Sequence, residues 1–435
     1  MPKDISARIR DLIEDTLSPD VRARVVAARE LSDLGKDAAP AIPFLVRLLG
    51  DKRPYNSCTP NDVAVAALRR LDTLAIPALI DELPRASSLD QEEAITRLLG
   101  YYRDKRTVGA LIELLNDRNP TIREQAAYAL RGTRDPRSVE PLIARLQDSN
   151  PRVRRAACWM LGEVGDIRAV EPLIRSLADN SLDVQTAAAS ALSKVPDLSS
   201  LKPLLARLNR PEASLRASAA KALGELRDAR VVAPLIKVLQ HDPDEGARIG
   251  AAVALGKIGD SRAVEPLIVA LREDKSKPPS LRIVAAISLG KLHDARAFDV
   301  LLSKARVLRP VAYGDDRWWA IFALGQIPDG CTAEPLAAIW HDPKECITAR
   351  CVAALGLGRT RDRRSIDALA FVLKNGPTPL AQQAIRCLGE RRDPEAKDLL
   401  EKSLNHPNEG VRRVTKNLLQ EREIADEEEW REYRD

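Results

Sequence analysis

Apolar positions in this chain recur in two linked stretches. The first reads roughly D-x-R-A-V-E-P-L-I-x-x-L; after a short polar gap the second reads V-R-x-x-A-A-x-A-L-G-x-x-x-D. In both, apolar residues stand three or four apart, the spacing that puts side chains on one face of an α-helix, so each copy predicts a helical hairpin. With the central Leu of the first stretch as anchor, the copies fall at Leu12, Leu45, Leu79, Leu111, Leu142, Leu173, Leu204, Leu235, Leu267, Leu301, Leu336, Leu369 and Leu400, at spacings of 31 to 35 residues. A period of about 32 residues holding two helices marks a helical solenoid. The pattern predicts an all-α fold, an α-α superhelix of thirteen hairpins running unbroken over residues 1–420, with an acidic tail at 421–435 outside the repeat.

The second helix has its own anchor, as at Leu130, Leu161, Leu223, Leu255 and Leu289. Four residues before it stands Ala in eleven of thirteen copies, the exceptions being Ile95 and Thr415. Ala lets neighbouring helix axes approach closely, so each hairpin is expected to bury its apolar face against the next, and one copy alone is not expected to fold.

Two polar ladders run in step with the apolar one. Five residues after the second anchor comes Asp in ten consecutive copies, among them Asp135, Asp166, Asp228, Asp260 and Asp294. Asp accepts from the free N–H groups of a helix start, and Asp135-Pro136 has the form of a cap followed by Pro at the first helical position. Pro141 and Pro172 lie six residues beyond their Asp, too deep for a straight helix starting there. Either a separate turn precedes the helix or the helix bends at Pro. Seven residues before the anchor, nine copies carry Arg, including Arg123, Arg154, Arg216, Arg248 and Arg282. Recurring in step with the Asp row, these arginines are expected to pair with it and brace successive repeats. Basic residues matched by acids are not free to neutralise phosphates, which argues against nucleic-acid contact.

Composition strengthens the helical reading. Of 435 residues 45% are hydrophobic but only 3% aromatic, so the apolar material is almost all Ala, Leu, Val and Ile, which disfavours a β fold. Sixty-eight Lys and Arg against 63 Asp and Glu leave +5, too little at this length to demand a polyanionic partner. The N-terminal stretch has no apolar leader and no eighteen uncharged apolar residues run together, so neither secretion nor membrane spanning is expected. Six cysteines at irregular positions make no disulfide framework, and a reducing, cytoplasmic setting is expected.

The copy containing Arg154-Arg155-Ala156-Ala157, Leu161-Gly162, Gly165-Asp166, Arg168 and Ala169-Val170-Glu171-Pro172-Leu173-Ile174 resembles the short HEAT-like repeat of phycobilin (PBS) lyases and their relatives. The likeness runs from Ile5 to Gln420. It implies stacked helix pairs and, through the family, a bilin lyase or isomerase or a tetrapyrrole chaperone, although no catalytic motif carries over residue by residue. Stacked helix pairs serve many purposes, so the resemblance speaks to architecture more than to activity.

Function is expected where copies depart from what stacking requires. Positions −6 and −2 of the second helix lie one turn apart, outside the packing stripe, and are expected on the concave side. Early pairs are polar or mixed, as in Glu124 with Tyr128 and Arg155 with Trp159. Four consecutive later pairs turn apolar: Ile249 with Val253, Ile283 with Ile287, Trp318 with Phe322, and Cys351 with Leu355. The gap between helices also lengthens in this region, with the added segments Glu273 to Ser280, Arg309 to Asp316 (containing Tyr313) and Asp342 to Glu345. These features predict an apolar groove flanked by loops. In the competing reading, curvature changes here and buries the same side chains between repeats. Replacing Trp318 and Phe322 by Ser separates the two: binding is lost without loss of stability if they line a groove.

Catalytic chemistry is sparse. Another HEAT-repeat family, deoxyhypusine hydroxylase, binds iron through repeated His-Glu pairs; here His241, His293, His341 and His406 are followed by Asp, Asp, Asp and Pro. Cys346 and Cys351, five apart on a helix, would point about 140° from each other, so no metal site is predicted. No Gly-rich phosphate loop or nucleophile elbow occurs. The leading expectation is a non-catalytic scaffold or adaptor that takes a helix or peptide of a protein partner in the groove, without a cofactor. A tetrapyrrole in the groove and nucleic acid on the concave side are the alternatives; mixed-sign positions and the apolar stripe argue against the second.

Overall fold

The computed structural model describes residues 3–272, 280–306, 316–327, 332–360, 364–391 and 393–432. Among these the chain is helical throughout, and the one β pairing is the isolated bridge between Tyr55 and Cys58. Tyr313 and the first two added segments, except Ser280 and Asp316, lie outside the described residues. Contacts divide the chain into two compact units, Met1–Arg207 and Leu208–Asp435, each built of the same hairpins.

One hairpin of the first unit shows why this sequence folds as it does. Asp135 caps a short 3-10 turn, Pro136–Ser138, by accepting the N–H of Arg137, and the α-helix proper then starts at Val139. Pro141 is thus the third residue of helix Val139–Arg145, within the first turn, where its missing N–H has no partner to lose. A separate turn, not a bend at Pro, resolves the spacing. After the polar gap, Asn150 caps helix Pro151–Val164 from Pro at its first position. The helix stops at Gly165, whose φ of +77° suits glycine and whose N–H bonds the Leu161 carbonyl. Val139, Leu142, Val153, Ala156, Ala157 and Leu161 are fully buried between these helices and the neighbouring hairpins.

In the second unit the second helices press on one another through small residues. A Cβ placed on Gly224 would lie 2.5 Å from Ala254 Cα, one on Gly256 2.6 Å from Ser288 Cβ, and one on Gly325 2.3 Å from Gly356 Cα. The glycine following one anchor Leu therefore meets the small residue preceding the next. The long-gap loop after Leu45 ends in a capping box, in which Thr59 accepts the Asp62 N–H and the Asp62 side chain accepts from the Thr59 backbone. The last helix, Glu409–Glu432, carries the backbone on into the acidic tail.

Both polar ladders exist, but they are not each other's partners, which corrects the expected pairing. Asp135, Asp166, Asp228, Asp260 and Asp294 each hold the Arg two residues on, bidentately, while capping the short turn. Arg123 instead binds Asp148 through two 2.7 Å hydrogen bonds, Arg154 binds Asp179 at 2.8 Å, and Arg216 binds Asp242 at 2.7 Å. These acids sit in the gap of the following repeat. The same arginines donate to a carbonyl six residues back in their own gap: Asp117, Asp148 and Arg210, each at 2.9 Å. The geometric reason is reach. An Arg in the first turn of the second helix opens onto the gap, whereas the Asp after the anchor stands at the helix's far end. Arg248 reaches the Leu239 carbonyl at 2.9 Å, and Arg282 is buried. The third added segment joins this system, for Arg317, 2% exposed, is clasped by Glu345.

Candidate functional site

The apolar row predicted from positions −6 and −2 is split by the fold. Ile249 and Val253 on helix Glu245–Ile258, Ile283 and Ile287 on helix Ser280–Leu292, and Phe322 on helix Asp316–Leu324 are half-buried and keep part of their apolar surface open. Two close approaches set this edge. A Cβ on Gly250 would sit 2.8 Å from the Ala217 carbonyl, and Ser288 Oγ donates to the Ala252 carbonyl at 2.8 Å. Both flanks of the helix are occupied by neighbours, and the Ile249/Val253 edge between them is what remains.

Trp318, Cys351 and Leu355 are not part of an open groove, a correction to the predicted site. Trp318 is 4% exposed, and Cys351 and Leu355 are 0% exposed. Helix Ile347–Arg359 carries its polar residues, Thr348, Arg350 and Arg359, at its ends and buries an unbroken run from Cys351 to Gly358, two turns that leave no solvated face. Its glycines tighten the enclosure, for a Cβ on Gly356 would meet Gly325 Cα at 2.9 Å and one on Gly358 would meet Leu369 Cδ2 at 2.4 Å. The Leu355-Gly356-Leu357-Gly358 run, apolar or small on both sides of the anchor Leu357, was the available signal. Trp318 is covered by its own neighbours: Phe322 stacks on it at 5.6 Å and 8°, Trp319 meets it edge-on at 4.5 Å, and the Arg359 guanidinium lies 4.8 Å from the Phe322 ring. Trp340 is buried against Phe371, ring centres 5.9 Å apart.

Cations flank the open part of the strip. Lys221 and Lys291 are exposed, and neither joins an ion pair among the described residues; Lys257 is held by Glu225. The four histidines are dispersed. His241 and His341 are exposed, a ring nitrogen of His293 lies 2.5 Å from the Gln326 carbonyl, and one of His406 lies 3.0 Å from the Leu373 carbonyl. Cys346 accepts the Ala349 N–H as a cap, and burial pushes the Cys351 thiol up to about 11. Among the described residues no group of three or more His, Cys, Asp and Glu is placed to hold a metal ion, and no helix is long and apolar enough to cross a membrane.

A family model described as HEAT repeats matches residues 76–149, 123–193, 139–220 and 201–278. No curated protein sequence matches the chain. Among solved structures, importin beta superposes with a TM-score of 0.63 at 14% identity, covering 95% of this chain and 69% of that one. The Kap95:Nup1 complex gives 0.58 at 14% identity, covering 100% and 68%. The CpcE and CpcF complex of phycocyanin lyase from Nostoc sp. PCC7120 gives 0.39 at 21% identity, covering 53% and 92%, too low a similarity to speak for fold or function. At 14% identity the importin-beta likeness establishes the fold and nothing of its ligands. Residues 76–278 thus carry HEAT repeats, and the superpositions show the all-α solenoid fold.

Proposed function

We propose that this HEAT-repeat protein is a non-catalytic scaffold that docks a protein partner on the apolar edge formed by Ile249, Val253, Ile283, Ile287 and Phe322. The observation that carries the reading is the half-burial of these side chains on the second helices of three consecutive hairpins. Contiguous apolar surface left open to water is a liability unless something covers it. The occupant that fits is an amphipathic helix. Its apolar side chains lie on the isoleucines, and acidic residues along its flank meet Lys221 and Lys291, whose ammonium groups have no carboxylate partner among the described residues. The fold suits the role, since the neighbouring Kap95 holds a protein, Nup1, in the complex named above.

The test is capture from the native cell by wild-type chain beside the Ile249→Ser/Ile287→Ser double variant. A protein retained by the wild type and lost from the variant, with melting temperatures within about 4 °C, supports the reading. Equal retention by both refutes it. The Trp318→Ser/Phe322→Ser pair does not serve, because Trp318 is core.

A further inference from the structure

We propose a second docking surface, on the first unit, built for an acidic peptide segment. It goes beyond the apolar edge and stands whether or not that edge binds a partner. Position −2 of three consecutive second helices carries Arg97, Tyr128 and Trp159. Arg, Tyr and Trp are the residue types that dominate binding energy at protein interfaces, and this chain spends few aromatics anywhere. Tyr128 and Trp159 are half-buried and meet edge to face at 5.4 Å and 71°, which fixes both rings. The exposed Arg131 lays its guanidinium 5.1 Å from the Trp159 ring centre. A guanidinium stacked on an indole keeps its N–H edge open to an oxygen anion.

Charge decides the kind of partner. The first unit pairs Arg106, Arg137 and Arg168 bidentately with the Asp two residues before each. Arg97 and Arg131 are exposed and form no ion pair with a carboxylate among the described residues; Arg97 donates only to the Glu93 backbone carbonyl, at 3.3 Å. Glu163, the acid nearest in register to Arg131, is held by Lys194. Two cations are therefore available beside two aromatic rings. Glu93 stands one turn from Arg97 on the same helix face with no ion pair among the described residues, while Glu124 and Glu163 are held by Arg155 and Lys194. The row therefore offers two separate cations with an acid beside the first, and no continuous basic track for a phosphate backbone, whereas a peptide places discrete acids at Arg97 and Arg131 and rings or prolines on Tyr128 and Trp159. The surface thus fits an acidic peptide better than a nucleic acid.

The test is fluorescence anisotropy on the full chain with a fluorescein-labelled octapeptide of six glutamates and two tyrosines, beside octalysine and an eight-residue oligothymidylate. Expected are binding of the acidic peptide that weakens as salt rises, and at least a tenfold loss in the Arg97→Gln/Arg131→Gln variant. The already paired Arg106→Gln/Arg137→Gln, which removes the same charge, retains wild-type affinity. Both substituted arginines are exposed, so folding is spared. The proposal falls if the acidic peptide fails to bind at low salt, if oligothymidylate binds more tightly, or if the double Arg variant binds as wild type does.

Discussion

The Arg ladder has one inverted rung, and restoring it should stabilise the protein. Arg123, Arg154 and Arg216 each bind an acid in the following gap. At the equivalent place in the first unit stands Glu92, and the acid in register is Asp117, the same twenty-five residues on as Asp148 is from Arg123. Two carboxyls therefore face each other. Burial first, and then the charge of Asp117, raise the Glu92 carboxyl above its ordinary value. Asp117 also feels Arg123, which takes its backbone carbonyl at 2.9 Å. Glu92→Arg removes a like-charge contact and adds a bidentate pair, and the carbonyl six residues back, that of Ala86, completes the geometry of the other rungs. A hydrogen bond to a charged group contributes about 1.5–3 kcal/mol, less where solvent screens it, so this half-buried rung should gain about 1–3 kcal/mol at pH 7. For a unit of this size that is a rise of about 2–12 °C in melting temperature. Glu92→Gln supplies a hydrogen-bond donor without the charge and should gain about 0.5–1 kcal/mol at pH 7. The sign with pH follows from the raised carboxyl. Its contribution is fully present below the unfolded value and is lost as pH rises through the folded one, so the gain from Gln should vanish near pH 4. Calorimetry at both pH values reads this directly. An Arg variant less stable than wild type, or a Gln variant whose gain does not depend on pH, would refute the inverted-rung account.

Three further outcomes are expected. Trp318→Ala should cost about 3–5 kcal/mol by denaturant unfolding, as a core deletion does, while Ile287→Ala at the open edge costs clearly less. Arg123→Met leaves Asp148, whose side chain is 4% exposed, with only Arg145 at 3.8 Å and the Asn150 N–H, and should cost about 1–3 kcal/mol; adding Asp148→Leu should recover part of the loss, and strict additivity of the two would count against a shared pair. Asp104, Asp135, Asp166, Asp228 and Asp260 are held at about 2, chiefly by the side chain of the Arg two residues on and then by its N–H. Since these folded values lie below the ordinary 3.8, their stabilisation is present above that pH and drains as pH falls towards 2. Replacing Arg137, Arg168, Arg230 and Arg262 by Gln should move the acid-unfolding midpoint upward, and an unmoved midpoint would show the pairs contribute nothing.

Much of this protein was legible from spacing alone. Leucines at a regular period, with Ala four before the second anchor, required two helices per repeat that bury their faces on the next copy, because nothing else covers an apolar stripe of that width. The Asp caps were equally legible, since a cap is a contact between residues two apart. The same regularity exposed the odd pairs at −6 and −2. It did not say which of them water could reach.

Tertiary structure settled those points because they depend on residues far apart in sequence. Arg123 and Asp148 are twenty-five residues apart, and only the stacking of one gap over the next makes them partners rather than Arg123 and Asp135. Ile287 and Leu355 hold the same position in similar helices, yet one stays half-open and the other is sealed, because Gly356 and Gly358 let neighbours close around Leu355 from both sides. Periodicity fixes which face a side chain occupies within its own helix. How near the next helix comes to that face is set by the small residues on both, and that distance separates a surface from a core.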